Sequence, residues 1–245
     1  MFKTYGLQLQ LGVDLVVPEL QIILHQPTLQ EIAMTMLEEE EFFFAIGILT
    51  MDKAHLDNEL SEPLNNFDIF MSTMNSLKSE EKNSVLLVLD LLFSMYEVKI
   101  VNTVFLLRLE GKNFCTINAE NFDLIQEYIK LIFCVEKKDP DEIIYNTKGE
   151  LANKIRDKIM RGREKVRELH REKNKEQSSN TIRRYVSILQ IGAHINYNEI
   201  ARYTLYQLYD AIERFNLYTN YDIDLRVRLA GGSPKEEVDE WTKQI

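Results

Sequence analysis

The chain has 245 residues, of which 45% are hydrophobic and 28% charged, and it carries a net charge of −10. This length suits one or two domains with a sizeable core. The acidic balance argues against general binding to nucleic acids or anionic membranes. Two cysteines, Cys115 and Cys134, are too few for a disulfide scaffold and predict free thiols in a reducing cytoplasm. No signal peptide or membrane span is recognisable.

The N-terminal region predicts a strand pair followed by a helix. Leucines alternate with other residues over 7–11, and an apolar run occupies 20–24, so both segments are interpreted as short strands. Thr28 and Glu31 have the spacing of a capping box, in which each side chain binds a free backbone N–H. We expect the helix that begins there to continue to about Ile48.

Four consecutive carboxylates lie within that predicted helix, at Glu38–Glu41. Neighbouring residues of a helix point about 100° apart, so the four cannot converge on one metal ion. The run predicts a solvated face.

The middle of the chain alternates between helix and strand patterns. Residues 79–96 are apolar almost all round and predict a central buried helix. The period changes to two over 103–117, which predicts a β-hairpin, and Asn118 is expected to cap the next helix. The fold class is therefore mainly α (α+β): a multi-helix domain with a small N-terminal strand pair and a β-hairpin near 103–117.

Residues 154–184 contain twelve basic and five acidic residues, a local net charge of +7. They predict a long exposed helix and a polar linker. The segment could bind nucleic-acid phosphates, dock an acidic or amphipathic protein, or only be solvated. The predicted organisation is an N-terminal α+β domain over 1–150, a basic helix and linker over 151–180, and a helical region over 181–245.

The C-terminal region predicts four helices. One covers 181–193, and a second begins at a capping box formed by Thr204 and Gln207. A third is expected over 221–230, and a last one carries Trp241.

No pattern of catalytic chemistry is present. The four histidines have no cysteine or carboxylate partner at the spacing of a zinc motif, and neither a phosphate-binding loop nor a nucleophile elbow occurs. We therefore expect no enzymatic activity, no metal and no cofactor.

Several segments together resemble the tail assembly chaperones of long-tailed bacteriophages. They are the Pro27–Ile32 helix start, the turn of Ile117, Asn118, Asn121 and Phe122, the basic middle over 154–167, and the segments Thr204–Asp210 with Arg214, Ala230–Gly232 and Trp241. The resemblance implies a bacteriophage protein of the host cytoplasm. It would bind the tape-measure protein, keep it soluble until the tail tube assembles, and be displaced as tube subunits arrive.

On this basis we expect binding to the tape-measure protein, contact with the tail tube protein and self-association, without nucleic acid or membrane. Two alternatives stay open: a nucleic-acid-binding accessory protein that uses the basic 154–184 segment, and a phage regulator of a host protein. The predicted partner-binding residues are basic side chains of the middle and aromatic side chains of the C-terminal region: Arg156, Arg161, Arg163, Lys165, Arg167, Tyr206, Tyr209, Phe215 and Trp241.

Overall fold

A computed structural model describes residues 2–51, 65–101, 104–135 and 181–229 of the chain. The predicted basic helix and linker and the predicted helix around Trp241 fall largely or wholly outside these ranges. Within them the fold is mainly α, with a two-stranded and a three-stranded antiparallel sheet. This confirms the predicted fold class.

The first element is a helix, α1 (Phe2–Leu11), where the sequence predicted a strand. Of the three alternating leucines only Leu9 is buried, whereas Leu7 and Leu11 are exposed. Leucine and glutamine are better helix than strand formers, so alternation alone did not decide the conformation. Tyr5 lies one helical turn before Leu9, and its hydroxyl lies 2.8 Å from the hydroxyl of Tyr128.

A short antiparallel pair follows, formed by β1 (Leu15–Val17) and β2 (Ile22–Leu24). The second strand agrees with the predicted run over 20–24. His25, directly after β2, has Nδ1 at 2.9 Å from Asp14 and Nε2 at 3.2 Å from Glu31. The imidazole thus joins the loop before β1 to the helix that follows β2.

The predicted capping box at Thr28 is present and opens α2 (Leu29–Met34). The Glu31 carboxylate accepts hydrogen bonds from the backbone N–H and the hydroxyl of Thr28, both at 2.8 Å. Partial burial opposes ionisation of this carboxyl, but the bonds from Thr28 and His25 outweigh it and lower the pKa of Glu31.

The helix does not run on to Ile48 without interruption, as the sequence predicted. Met36 adopts a left-handed conformation with φ of 60°, which ends α2, and a new helix, α3 (Glu39–Thr50), begins after Glu38. The carboxylate run supplies this second start, because Glu41 accepts the backbone N–H of Glu38 at 2.9 Å.

The core is built on α3 together with three further helices: α4 (Asn66–Ser76), α5 (Ser79–Leu92) and α6 (Phe122–Ile132). The predicted central helix is thus confirmed at α5, although it ends at Leu92 and exposes Asp90. Buried aromatic rings fill the space between α4, α6 and the nearby sheet: Phe67, Phe70, Phe105 and Phe122, with neighbouring centroids 5.2–6.5 Å apart.

The predicted hairpin is confirmed, and a third strand joins it. The sheet order is β3 (Glu97–Val101), β4 (Val104–Leu109) and β5 (Lys112–Ile117), all antiparallel. Strand β3 has no clear signal in the sequence because it follows a helix closely and exposes most of its residues. Asn118 begins the turn towards α6, but Asn121 is the N-cap.

The C-terminal region contains α7 (Thr181–Gly192), α8 (Tyr197–Ile200) and α9 (Leu205–Leu229). The first agrees with prediction, and so does the second capping box, in which Thr204 N–H donates to Gln207 at 2.8 Å. The helix predicted over 221–230 is instead the continuation of α9, a single helix of 25 residues.

The N-terminal and C-terminal regions meet at the two capping boxes. Thr28 and Thr204 form an antiparallel bridge, and the N–H groups of Leu29 and Gln30 donate to the carbonyls of Tyr203 and Ala201 at 2.8 and 2.9 Å. Buried residues of the N- and C-terminal regions belong to one hydrophobic cluster. The C-terminal helices are therefore packed on the N-terminal elements.

Candidate partner-binding surface

The three described aromatic residues of the predicted site lie on the first half of α9. Tyr206, Tyr209 and Phe215 are all partly buried and pack against the core. The ring of Tyr209 meets that of Tyr185 edge-on, with centroids 5.7 Å apart, and burial raises the pKa of Tyr209. Much of this aromatic face therefore holds α9 against α7.

Phe215 is fixed by an unusually close neighbour. A Cβ placed on Gly192, at the end of α7, would lie 2.5 Å from Cζ of Phe215. Only the missing side chain of Gly192 lets the ring approach the helix so closely. The partner-binding role of Tyr206, Tyr209 and Phe215 stays a prediction.

The remaining members of the predicted site fall outside the described residues: Arg156, Arg161, Arg163, Lys165, Arg167 and Trp241. Only the end of the basic 154–184 segment is described. There Arg183 lies 3.3 Å from Glu38, and the guanidinium of Arg184 lies 5.4 Å from the ring centroid of Tyr185. Both side chains thus make contacts within the protein.

The second half of α9 presents apolar side chains to solvent. Tyr218, Leu225 and Leu229 are exposed by 52, 43 and 80%. Their spacing of seven and four residues puts them on one side of a helix. We call these three residues the distal stripe. The stripe differs from the sequence prediction, in which a separate helix begins at Tyr221, although the seven- and four-residue spacing is visible in the sequence.

Charged side chains of α9 are paired along the helix. Asp210 accepts from Arg214 at 2.9 Å, and Asp222 from Arg226 at 2.9 Å, each at the i,i+4 spacing. The carboxylate of Asp210 raises the pKa of Arg214 further above its usual range. Each pair contributes no net charge, so these four side chains add no strong electrostatic preference to contact between the distal stripe and an apolar helix face.

The first half of α9 is held firmly at its N-terminus. Gln207, a member of the capping box, also donates from Nε2 to the carbonyl of Gln10 on α1 at 2.8 Å. Leu205, Leu208 and Ile212 are buried. The distal stripe therefore extends from a rigidly anchored helix.

The described parts of the chain contain no group of three or more His, Cys, Asp or Glu side chains that could hold a metal ion. The sequence predicted that all four carboxylates of Glu38–Glu41 form a solvated face. This is wrong for one of them. Glu39 is nine-tenths buried, and its Oε1 accepts the backbone N–H of Ile182 at 2.7 Å. In this way Glu39 satisfies a free donor at the start of α7.

None of the described helices combines the length and the apolar character that crossing a membrane requires. Cys115 and Cys134 are free and partly buried, and burial raises the pKa of Cys134 to about 12. Neither thiol is activated as a nucleophile.

Comparison with known families matches residues 172–245 to the model of the YomV second domain. The match covers a minority of the chain but includes α7, α8, all of α9 and hence the distal stripe. It suggests a phage protein and does not specify a role in tail assembly. No curated protein and no solved structure matches the chain.

Proposed function

We propose that this is a non-enzymatic phage protein of the host cytoplasm that acts as a tail assembly chaperone. It binds amphipathic helical segments of the tape-measure protein and keeps them soluble until the tail tube assembles. The observation that supports this function best is the distal stripe, an exposed apolar face on an anchored helix inside the family-matched segment.

The physical basis of binding is helix-in-groove or helix-on-helix packing. The distal stripe runs over 12 residues, from Tyr218 to Leu229, and at about 1.5 Å rise per residue its two ends are roughly 16 Å apart. A segment of that length offers three anchors, which suits weak and repeated docking rather than one tight complex. Weak docking is what displacement by arriving tube subunits requires.

The chain's acidic character supports the same role. A complex with an aggregation-prone helical protein stays soluble only if the bound chaperone contributes charge, and this chain contributes a net charge of −10. The exposed apolar area is thus carried by a strongly charged body.

The test is co-expression with a tape-measure fragment from the same phage. We expect the fragment to be mostly soluble with the wild-type protein and insoluble alone. The double variant Leu225→Asp/Leu229→Asp should lose this effect, because two carboxylates would be placed in the apolar contact. Met34→Asp is the matched control, since Met34 is 71% exposed but lies on α2.

Circular dichroism should show that all variants remain folded. A fragment that stays equally insoluble with and without the protein would refute the chaperone function. Loss of solubilisation by Met34→Asp to the same extent would refute the assignment to the distal stripe.

A further inference from the structure

Strand β3 is an edge strand with an open side. It pairs with β4 over all five residues, and in the described parts of the chain no strand pairs with its other edge. The opposite edge of the sheet, β5, contains a bulge at Phe114, between its pairings with Leu107 and Arg108. Bulges hinder edge-to-edge pairing because they twist the strand, whereas a regular edge is a template for another strand.

We propose that β3 pairs antiparallel with β3 of a second copy of this chain, about a two-fold axis at Val98. In this register Glu97 lies opposite Lys99 of the second copy, and Lys99 opposite its Glu97. Directly opposite residues of an antiparallel pair share one face, so two ion pairs form across the axis. Both side chains are accessible for this, being 53 and 46% exposed.

Strand residues are directly opposed over Glu97–Lys99 in this register, with Val98 facing its own copy. Ile100 and Val101 extend past the start of the second copy's β3 and lie beside its turn residues Met95 and Tyr96. Three of these side chains are now exposed: Met95 by 52%, Ile100 by 38% and Val101 by 41%. The approach of the two strands would bring these exposed side chains next to the second copy. The segment Glu97–Lys99 is therefore self-complementary in charge, with a pair of valines at its centre.

The neighbouring symmetric registers are electrostatically unfavourable. An axis at Lys99 would bring two lysines face to face, and an axis at Glu97 would bring two glutamates together. Like charges directly opposite each other destabilise a strand pair. The alternation of Glu97, Val98 and Lys99 thus selects one register among the symmetric pairings.

The pairing is expected to be weak and reversible. Glu97 already lies 2.9 Å from Lys99 and 3.3 Å from Arg108 of its own chain, so dimerisation redistributes existing ion pairs. Exposed ion pairs contribute little, and the short overlap of Glu97–Lys99 gives few backbone bonds. The dimer should therefore depend on protein concentration.

Sedimentation equilibrium of the full chain over a range of concentrations tests the proposal. We expect wild type to be a reversible dimer. Glu97→Lys and Lys99→Glu should each raise the dissociation constant by about tenfold or more, because each places like charges opposite each other twice. The double variant Glu97→Lys/Lys99→Glu should restore dimerisation. An equimolar mixture of the two single variants should form a heterodimer, since opposite charges then face each other.

Lys112→Glu is the matched control, because Lys112 lies on the bulged edge of the same sheet. It should leave dimerisation unchanged, as should Leu225→Asp/Leu229→Asp on α9, so this inference and the chaperone function can fail separately. Three outcomes would overturn the proposal: a monomeric wild type at every concentration, Lys112→Glu weakening the dimer as much as Lys99→Glu does, or no association in the mixture.

Discussion

Single residues decide how closely the helices of this protein approach, and Gly192 shows this most directly. Gly192→Ala would place a methyl group 2.5 Å from Cζ of Phe215. Replacing a helical glycine by alanine is normally favourable by up to about 1 kcal/mol. Here overpacking should reverse the sign and destabilise the protein by about 1–3 kcal/mol. Urea unfolding would measure the change.

Gly47 is the control for this prediction. It also lies within a helix, α3, but nothing lies within 4 Å of a Cβ built on it. Gly47→Ala should therefore stabilise the protein by about 0.5–1 kcal/mol. Equal effects of the two substitutions would contradict the proposed contact between α7 and the Phe215 ring.

At the residue scale, local contacts are predictable from the sequence and long-range contacts are not. The local capping boxes at Thr28 and Thr204 were predictable, because they depend on side chains three residues apart. The burial of Glu39 was not, because its partner, the N–H of Ile182, lies 143 residues away. Nothing in the local spacing of four glutamates distinguishes the buried one.

At the scale of elements, helix ends are completed by side chains from other helices. Gln126 of α6 is buried, and its Nε2 donates to the carbonyls of Leu49 and Met51 at 3.0 and 2.8 Å. These carbonyls lie at the C-terminal end of α3, where helices lack internal donors. One amide group thus connects two helices of the core.

Substitution of Gln126 should be costly in a graded manner. Gln126→Leu leaves two carbonyls without this donor and should destabilise the protein by about 1–3 kcal/mol. Gln126→Glu has the same shape, but it replaces the donor with a buried carboxylate facing two carbonyls, so it should cost more at neutral pH. Chemical denaturation would compare both variants, and a glutamate variant as stable as wild type would contradict this role.

Elements with a strong periodic signal were predictable, and those defined by their neighbours were not. The apolar α5 and the hairpin of β4 and β5 agree with the sequence. The alternating leucines of α1 wrongly indicated a strand. A period of two indicates a strand reliably only when another strand is available for pairing. The sequence predicted a helix boundary at Tyr221, within the distal stripe, but α9 is continuous at this position.

At the scale of the whole molecule, the C-terminal helices are fastened to the N-terminal elements by a few polar contacts in addition to the shared core. Glu39→Ala removes the carboxylate that caps α7 and should cost about 1 kcal/mol. Glu40→Ala, at the exposed neighbouring position, should stay within about 0.5 kcal/mol of wild type. Guanidinium unfolding monitored by circular dichroism would measure both variants.

A single transition is expected for wild type, because the two regions share one hydrophobic cluster. Two separate transitions, or equal effects of the Glu39 and Glu40 substitutions, would show that the C-terminal helices are stabilised independently of this cap.

The bridge between Thr28 and Thr204 has a consequence for the synthesis of the chain. The N–H groups of Leu29 and Gln30 find their carbonyl partners only after Tyr203 has left the ribosome. Closing so long a loop is entropically slow, and nascent domains of such high contact order finish late. The N–H groups at the start of α2 therefore lack these carbonyl partners through most of translation, and a premature stop before Ala201 would release a product in which they cannot form these bonds.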